Sequence, residues 1–164
     1  MDINLNIRQI PRHRRQLKIP EIFTQEEVQT LFNVCDNLRD KCILMTLYGA
    51  GLRVSEVASL KVSDIHSNKM QLFIRNAKGS KDRYALLSQV NLEILRTYWK
   101  AYRPKEWLFH SRNNTGTHLT TKAVQNLFHK HVTKAKITKH VTVHSLRHYV
   151  ECQVMGSATR ECYF

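Results

Sequence analysis

Residues 70–87 read MQLFIRNAKGSKDRYALL, and this stretch decides the fold. MQLFIR (70–75) and RYALL (83–87) are short strand-like runs. The intervening NAKGSKD (76–82) has the glycine and polar residues of a hairpin loop. On both sides the apolar spacing reverts to a helical period. Helices, a small antiparallel sheet and helices again make a mainly helical α+β domain.

On the N-terminal side, Thr24-Gln25-Glu26-Glu27 is a capping-box pattern, with Thr24 as N-cap and Glu27 reaching back. Val28, Leu31, Phe32 and Cys35 then share one helical face. LRDKCILMTLY (38–48) predicts a second helix that stops at Gly49 and Gly51, and its nearly continuous apolar run implies central burial. VSEVASL (54–60) predicts a short third helix. On the C-terminal side a helix begins after Ser88, with Leu92, Leu95, Trp99 and Tyr102 on one side. In LTTKAVQNLFHKHVTKAKI (119–137), Ala123, Val124, Leu127 and Phe128 face inward. Lys122, Lys130, Lys134 and Lys136 face outward, and His129 and His131 read as surface positions. Residues 1–20 form a basic lead-in punctuated by Pro11 and Pro20, ahead of one domain over 21–164.

Charge is the strongest compositional signal. The 164 residues carry 26 Lys+Arg against 13 Asp+Glu, a net charge of +13. From Trp107 to His148 there is no acidic residue. Such a field attracts polyanions, nucleic acid first. No apolar run reaches membrane-spanning length, and the start lacks the apolar region of a secretory signal. The four cysteines, Cys35, Cys42, Cys152 and Cys162, have neither CxxC spacing nor the density of a disulfide framework, so a reducing cytoplasm is expected.

Three basic groups lie at element boundaries. Arg53, in GAGLRVSE, follows a glycine-containing helix end, and its planar fork suits a phosphate. Glu56, three residues on, allows the alternative of an ordinary Arg53–Glu56 helix pair. In AKGSKDR, Lys78 and Lys81 sit at a hairpin tip, where a lysine can neutralise a phosphate or protonate a leaving alkoxide. The plainer reading is a soluble charged turn. In HSLRH (144–148), His144 and Arg147 share a helix face, pairing a proton-handling group with a fixed positive fork. His140, His144 and His148 repeat every four residues, as metal ligands on a helix do. Val141, Thr142 and Val143 favour an extended lead-in instead, and no metal is expected.

Together these motifs resemble the catalytic domain of the tyrosine recombinases, the phage-integrase and Xer-like family. GAGLRVSEVASL resembles its first-arginine box, AKGSKDR its β-hairpin lysine, and HSLRH its His-x-x-Arg box. RPKEWLFHS and TVHSLRH resemble integron and transposon relatives. The resemblance runs from about Ile19 to His148. It implies that Arg53 and Arg147 clamp the scissile phosphate, that His144 assists proton transfer, and that Lys78 protonates the leaving 5′-oxygen. Lys81, Arg83 and Lys122 join Arg53, Lys78 and Arg147 as expected DNA contacts. In the family a tyrosine attacks the phosphodiester and forms a 3′-phosphotyrosyl link. The arginines supply the positive charge that Mg²⁺ supplies elsewhere, so no cofactor is expected. Double-stranded DNA is the implied partner, with a homo-oligomer assembled on it and no membrane.

After HSLRH the family pattern departs. Neither a Leu-Gly-His turn nor a tyrosine box follows, and Tyr163 stands too early and in the wrong context to be expected as the nucleophile. Tyr149 is expected to pack. The expectation is therefore a catalytic domain that lacks its C-terminal His/Tyr segment and binds DNA with little or no cleavage. A non-catalytic DNA-binding accessory protein, or an enzyme completed by a tyrosine donated in trans, remain the alternatives.

Overall fold

A computed structural model describes residues 21–77, 81–111, 114 and 116–147. The element order is α1 (Gln25–Asn33), α2 (Leu38–Gly49), α3 (Val54–Ala58), β1 (Ile65–His66), β2 (Gln71–Ala77), β3 (Lys81–Leu86), α4 (Gln89–Tyr102) and α5 (Thr121–Lys134). A last helical turn covers 143–147. The mainly helical α+β architecture is therefore as the sequence predicts.

Helix α1 begins where the capping box places it. Thr24 Oγ1 accepts from the Glu27 N–H at 3.2 Å, and Glu27 Oε2 accepts from the Thr24 N–H at 2.7 Å. The same Glu27 oxygen accepts from Lys139 Nζ at 2.9 Å, tying α1 to the segment after α5. Thr24→Ala is expected to cost about 1 kcal/mol, read as a thermal midpoint lower by about 2–4 °C. No change in midpoint would show that Glu27 and Lys139 hold the helix start without the hydroxyl.

Helix α2 opens on Asn37, whose side chain accepts from the Arg39 N–H. It buries Cys42, Ile43, Leu44 and Leu47, as its apolar run predicts. Burial pushes the Cys42 thiol up to about 12, so it behaves as a small apolar side chain. The helix ends at Gly49, and beyond the Ala50 C-cap the chain turns at Gly51, whose φ of 56° lies in the left-handed region that glycine adopts without strain. Leu52 N–H then bonds back to the Leu47 carbonyl, and Leu52 is buried.

The antiparallel sheet has the order β1-β2-β3, with Leu72 opposite Ala85 and Ile74 opposite Arg83. Period-two alternation turns Leu72, Ile74 and Ala85 to the core and leaves Tyr84 and Leu86 outward. A register shift falls between Ile74 and Ala77. The two-residue strand β1 was not predicted, because two residues show no period. The Asp64 carboxylate beside it accepts from both Arg75 Nε and Nη2 and from the Lys61 N–H.

Two expectations about helix faces are corrected. In α4 the fully packed positions are Leu92, Leu95 and Tyr98, whereas Trp99 and Tyr102 remain exposed. Trp99 shares a side with Leu92 and Leu95, but where those two reach the core, Trp99 borders an open groove. In α5, Val124 and Phe128 are buried as expected, with Ala123 and Leu127 partly buried against the core. His131 is buried as well, three residues beyond Phe128 on the same face, and its Nε2 lies 3.0 Å from Asp40 Oδ2. His129 alone keeps the predicted surface position. Among the described residues, no helix is long and apolar enough to cross a membrane.

Candidate nucleic-acid interface

The left-handed turn at Gly51 and the burial of Leu52 deliver Arg53 to the N-cap of α3. Glu56, at the third helical position, accepts from the Arg53 backbone N–H through Oε2 at 2.8 Å. Its Oε1 accepts from Arg53 Nη1 at 2.8 Å. A second guanidinium arrives from the sheet, with Arg83 Nη2 donating to Glu56 Oε2 at 2.8 Å. Arg83 reaches it because β3 alternation places that residue on the core-facing side, opposite Ile74.

The Glu56 side chain is 4% exposed, while those of Arg53 and Arg83 are each 33% exposed. A buried carboxylate thus holds two arginine side chains that are each still one-third exposed. Burial alone would raise the Glu56 carboxyl. The Arg53 N–H bond and the Arg83 and Arg53 guanidinium groups outweigh it and hold the carboxyl below its ordinary range. Two arginines and one carboxylate leave one net positive charge, which can accept a phosphate without becoming an unpaired buried cation.

Both sequence readings of Arg53 are therefore compatible. The helix pair with Glu56 forms, and it orients the arginine. Sequence reasoning named Arg53 and Arg83 but did not join them. Glu56 was seen only as a helix partner, and its three-residue spacing from Arg53 was the available signal for its orienting role.

The remaining candidates fall around this cluster. Helix α3 packs against α5, whose first turn carries the exposed Lys122 after the Thr120 N-cap. In the 143–147 turn, Val143 and Leu146 enter the same core as Val57 and Ala58. Thr142 N–H donates to Ser145 Oγ at 3.1 Å and fixes the start of that turn. His144 is exposed and Arg147 half-buried. His140 precedes the turn, so His140 and His144 do not share a helix. Lys81 is exposed at the start of β3 with the alternation of Arg83. Lys78, His148, Tyr149 and Tyr163 lie outside the described residues.

The helix order and the small antiparallel sheet are those of a tyrosine-recombinase catalytic domain. The structure superposes on a crystal structure of XerA recombinase with a TM-score of 0.78 and 25% identity, covering 91% of this chain and 54% of that one. It has the same fold as lambda integrase solved bound to DNA, with a TM-score of 0.72 and 15% identity over 88% of this chain and 54% of that one.

Residues 21–155 match the phage integrase family, and the chain belongs to it. The tyrosine recombinase XerA of Pyrococcus horikoshii is 41% identical over 132 residues, which are 79% of this chain and 46% of that protein. The chain spans about half the length of the curated relatives it matches.

Proposed function

We propose that this domain binds double-stranded DNA and closes its arginines on a backbone phosphate, as the phosphate-clamping part of a site-specific recombinase. The observation that carries the reading is the buried Glu56 carboxylate holding two partly exposed arginine side chains, Arg53 and Arg83. The surrounding charge of +13 supplies the long-range attraction.

Arg53 and Arg147 would grip the non-bridging oxygens of the phosphate and neutralise the charge that builds up at phosphorus. His144 would hold or pass a proton at those oxygens. Lys78 would give its proton to the 5′-oxygen as the P–O bond breaks. In the cleavage step of the family, a tyrosine oxygen forms the new bond to phosphorus as that 5′-oxygen leaves. Lys81, Arg83 and Lys122 would contact flanking phosphates. Tyr163 does not stand in the family's nucleophile context, so the 1–164 polypeptide by itself is expected to bind DNA with little cleavage. Its native assembly on DNA would be a homo-oligomer.

Duplex binding measured by anisotropy across a salt series tests the reading. Affinity should fall steeply with salt, and Arg53→Ala should weaken binding about tenfold and reduce the salt slope by about 1. Binding that is insensitive to salt or to Arg53→Ala would overturn the phosphate-clamp assignment. A nicked suicide duplex should give no covalent adduct. An adduct abolished by Tyr163→Phe would overturn the binding-only part alone.

A further inference from the structure

The geometry points to a second binding site, a groove along α4 that takes an acidic partner segment through an apolar anchor side chain. The groove has a volume of about 420 Å³, within the range of about 300–1,000 Å³ common for binding pockets. Its floor is apolar, with Leu95 and Leu108 buried beneath it and Ile65 at its side. Trp99 forms a wall and stays 41% exposed, an unusual cost for the largest side chain of a chain with a packed core.

The rim is cationic. Arg96 and Lys100 border the groove. The Arg103 guanidinium stacks over the Trp99 ring at 4.1 Å. The 96, 99, 100 and 103 spacing puts all four residues on one face of α4 and its C-cap. Glu106 is paired with Lys61, whereas Glu93 accepts only from the neutral Gln89 amide, so Arg96, Lys100 and Arg103 outnumber it three to one. An apolar recess with an exposed tryptophan beneath an arginine has the composition of an interface hot spot. The surrounding cations require carboxylates on the occupant, next to the side chain that fills the recess.

A partner protein segment fits this better than DNA does. A duplex presents a convex row of phosphates, which would use the rim and leave the floor hydrated. None of the lining residues belongs to the Arg53–Glu56–Arg83 cluster, so this site stands apart from the DNA reading.

The test uses a short fluorescein-labelled peptide with Phe and Leu flanked by Asp and Glu, and a twin with Lys in place of every acid. Trp99→Ala and the double variant Arg96→Glu with Lys100→Glu are compared with the parent after matching thermal midpoints. The acidic peptide should bind saturably, and either change should weaken it about tenfold. The double variant should instead gain affinity for the lysine peptide. If Trp99→Ala does not fold, the charge-swap arm decides alone. Equal binding of the acidic peptide to parent and double variant would overturn the proposal. So would displacement of the peptide by a DNA duplex, or a sedimenting dimer lost on Trp99→Ala, which would assign the groove to DNA or to a second copy.

Discussion

Glu56→Gln is expected to lower stability by about 1–3 kcal/mol while raising affinity for duplex DNA. Removing one partner of a fully buried ion pair costs about 3–5 kcal/mol. Here both arginine side chains are one-third exposed, so solvent screening reduces the figure. Glutamine preserves the shape but offers one acceptor oxygen where the carboxylate serves three donors. Its amide hydrogens would face guanidinium hydrogens.

The pH dependence has a definite sign. The Glu56 carboxyl is held below its ordinary value of 4.5 in the fold. Its stabilisation is therefore fully present above that value and is lost as pH falls through the lower folded one. The gap in thermal midpoint between parent and Glu56→Gln should be widest near neutral pH and shrink on acidification below about 4.5. A gap independent of pH would show that lost packing, not lost charge, destabilises the variant. On the DNA side, removal of the carboxylate takes the cluster from one net positive charge to two. The salt slope should steepen by up to about 0.9. Weaker binding with an unchanged slope would show that Glu56 matters for orienting Arg53 more than for limiting the local charge.

The sequence made local features legible and left long-range partnerships unread. The Thr24–Glu27 box and the apolar face of α5 each rest on residues three or four apart, and each forms as expected. The hairpin strands follow from their apolar runs and the loop residues between them. Arg53 was readable as a boundary arginine, but its second neighbour, Arg83, is thirty positions away across a sheet whose register no local pattern fixes. Trp99 misled for a different reason. Helical spacing assigns a residue to a face, but whether that face meets core or an open groove depends on what packs opposite. His131 could have been found, since 124, 128 and 131 follow the buried stripe of α5. Its polar character outweighed that spacing, because the carboxylate that makes its burial tolerable lies in α2, 91 residues earlier.

That distant pair carries the largest stability effect expected in the chain. Asp40 and His131 have side chains only 5% and 3% exposed, joined at 3.0 Å across α2 and α5. Asp40→Ala would leave a buried imidazole without its acceptor and is expected to cost about 3 kcal/mol, measured by urea unfolding. Apolar replacement of both members, Asp40→Leu with His131→Leu, should recover most of that loss, since no polar group is then stranded. The double-mutant cycle should report a coupling of at least about 1 kcal/mol. A cost below about 1 kcal/mol for Asp40→Ala would mean that water reaches the imidazole and that apolar packing alone joins α5 to α2. The pair sits away from Arg53 and Glu56 in the bonding pattern, so DNA affinity per folded molecule should be unchanged in both variants. A loss of affinity at full folding would instead show that the α2–α5 contact sets the position of Lys122 and of the 143–147 turn that follows α5.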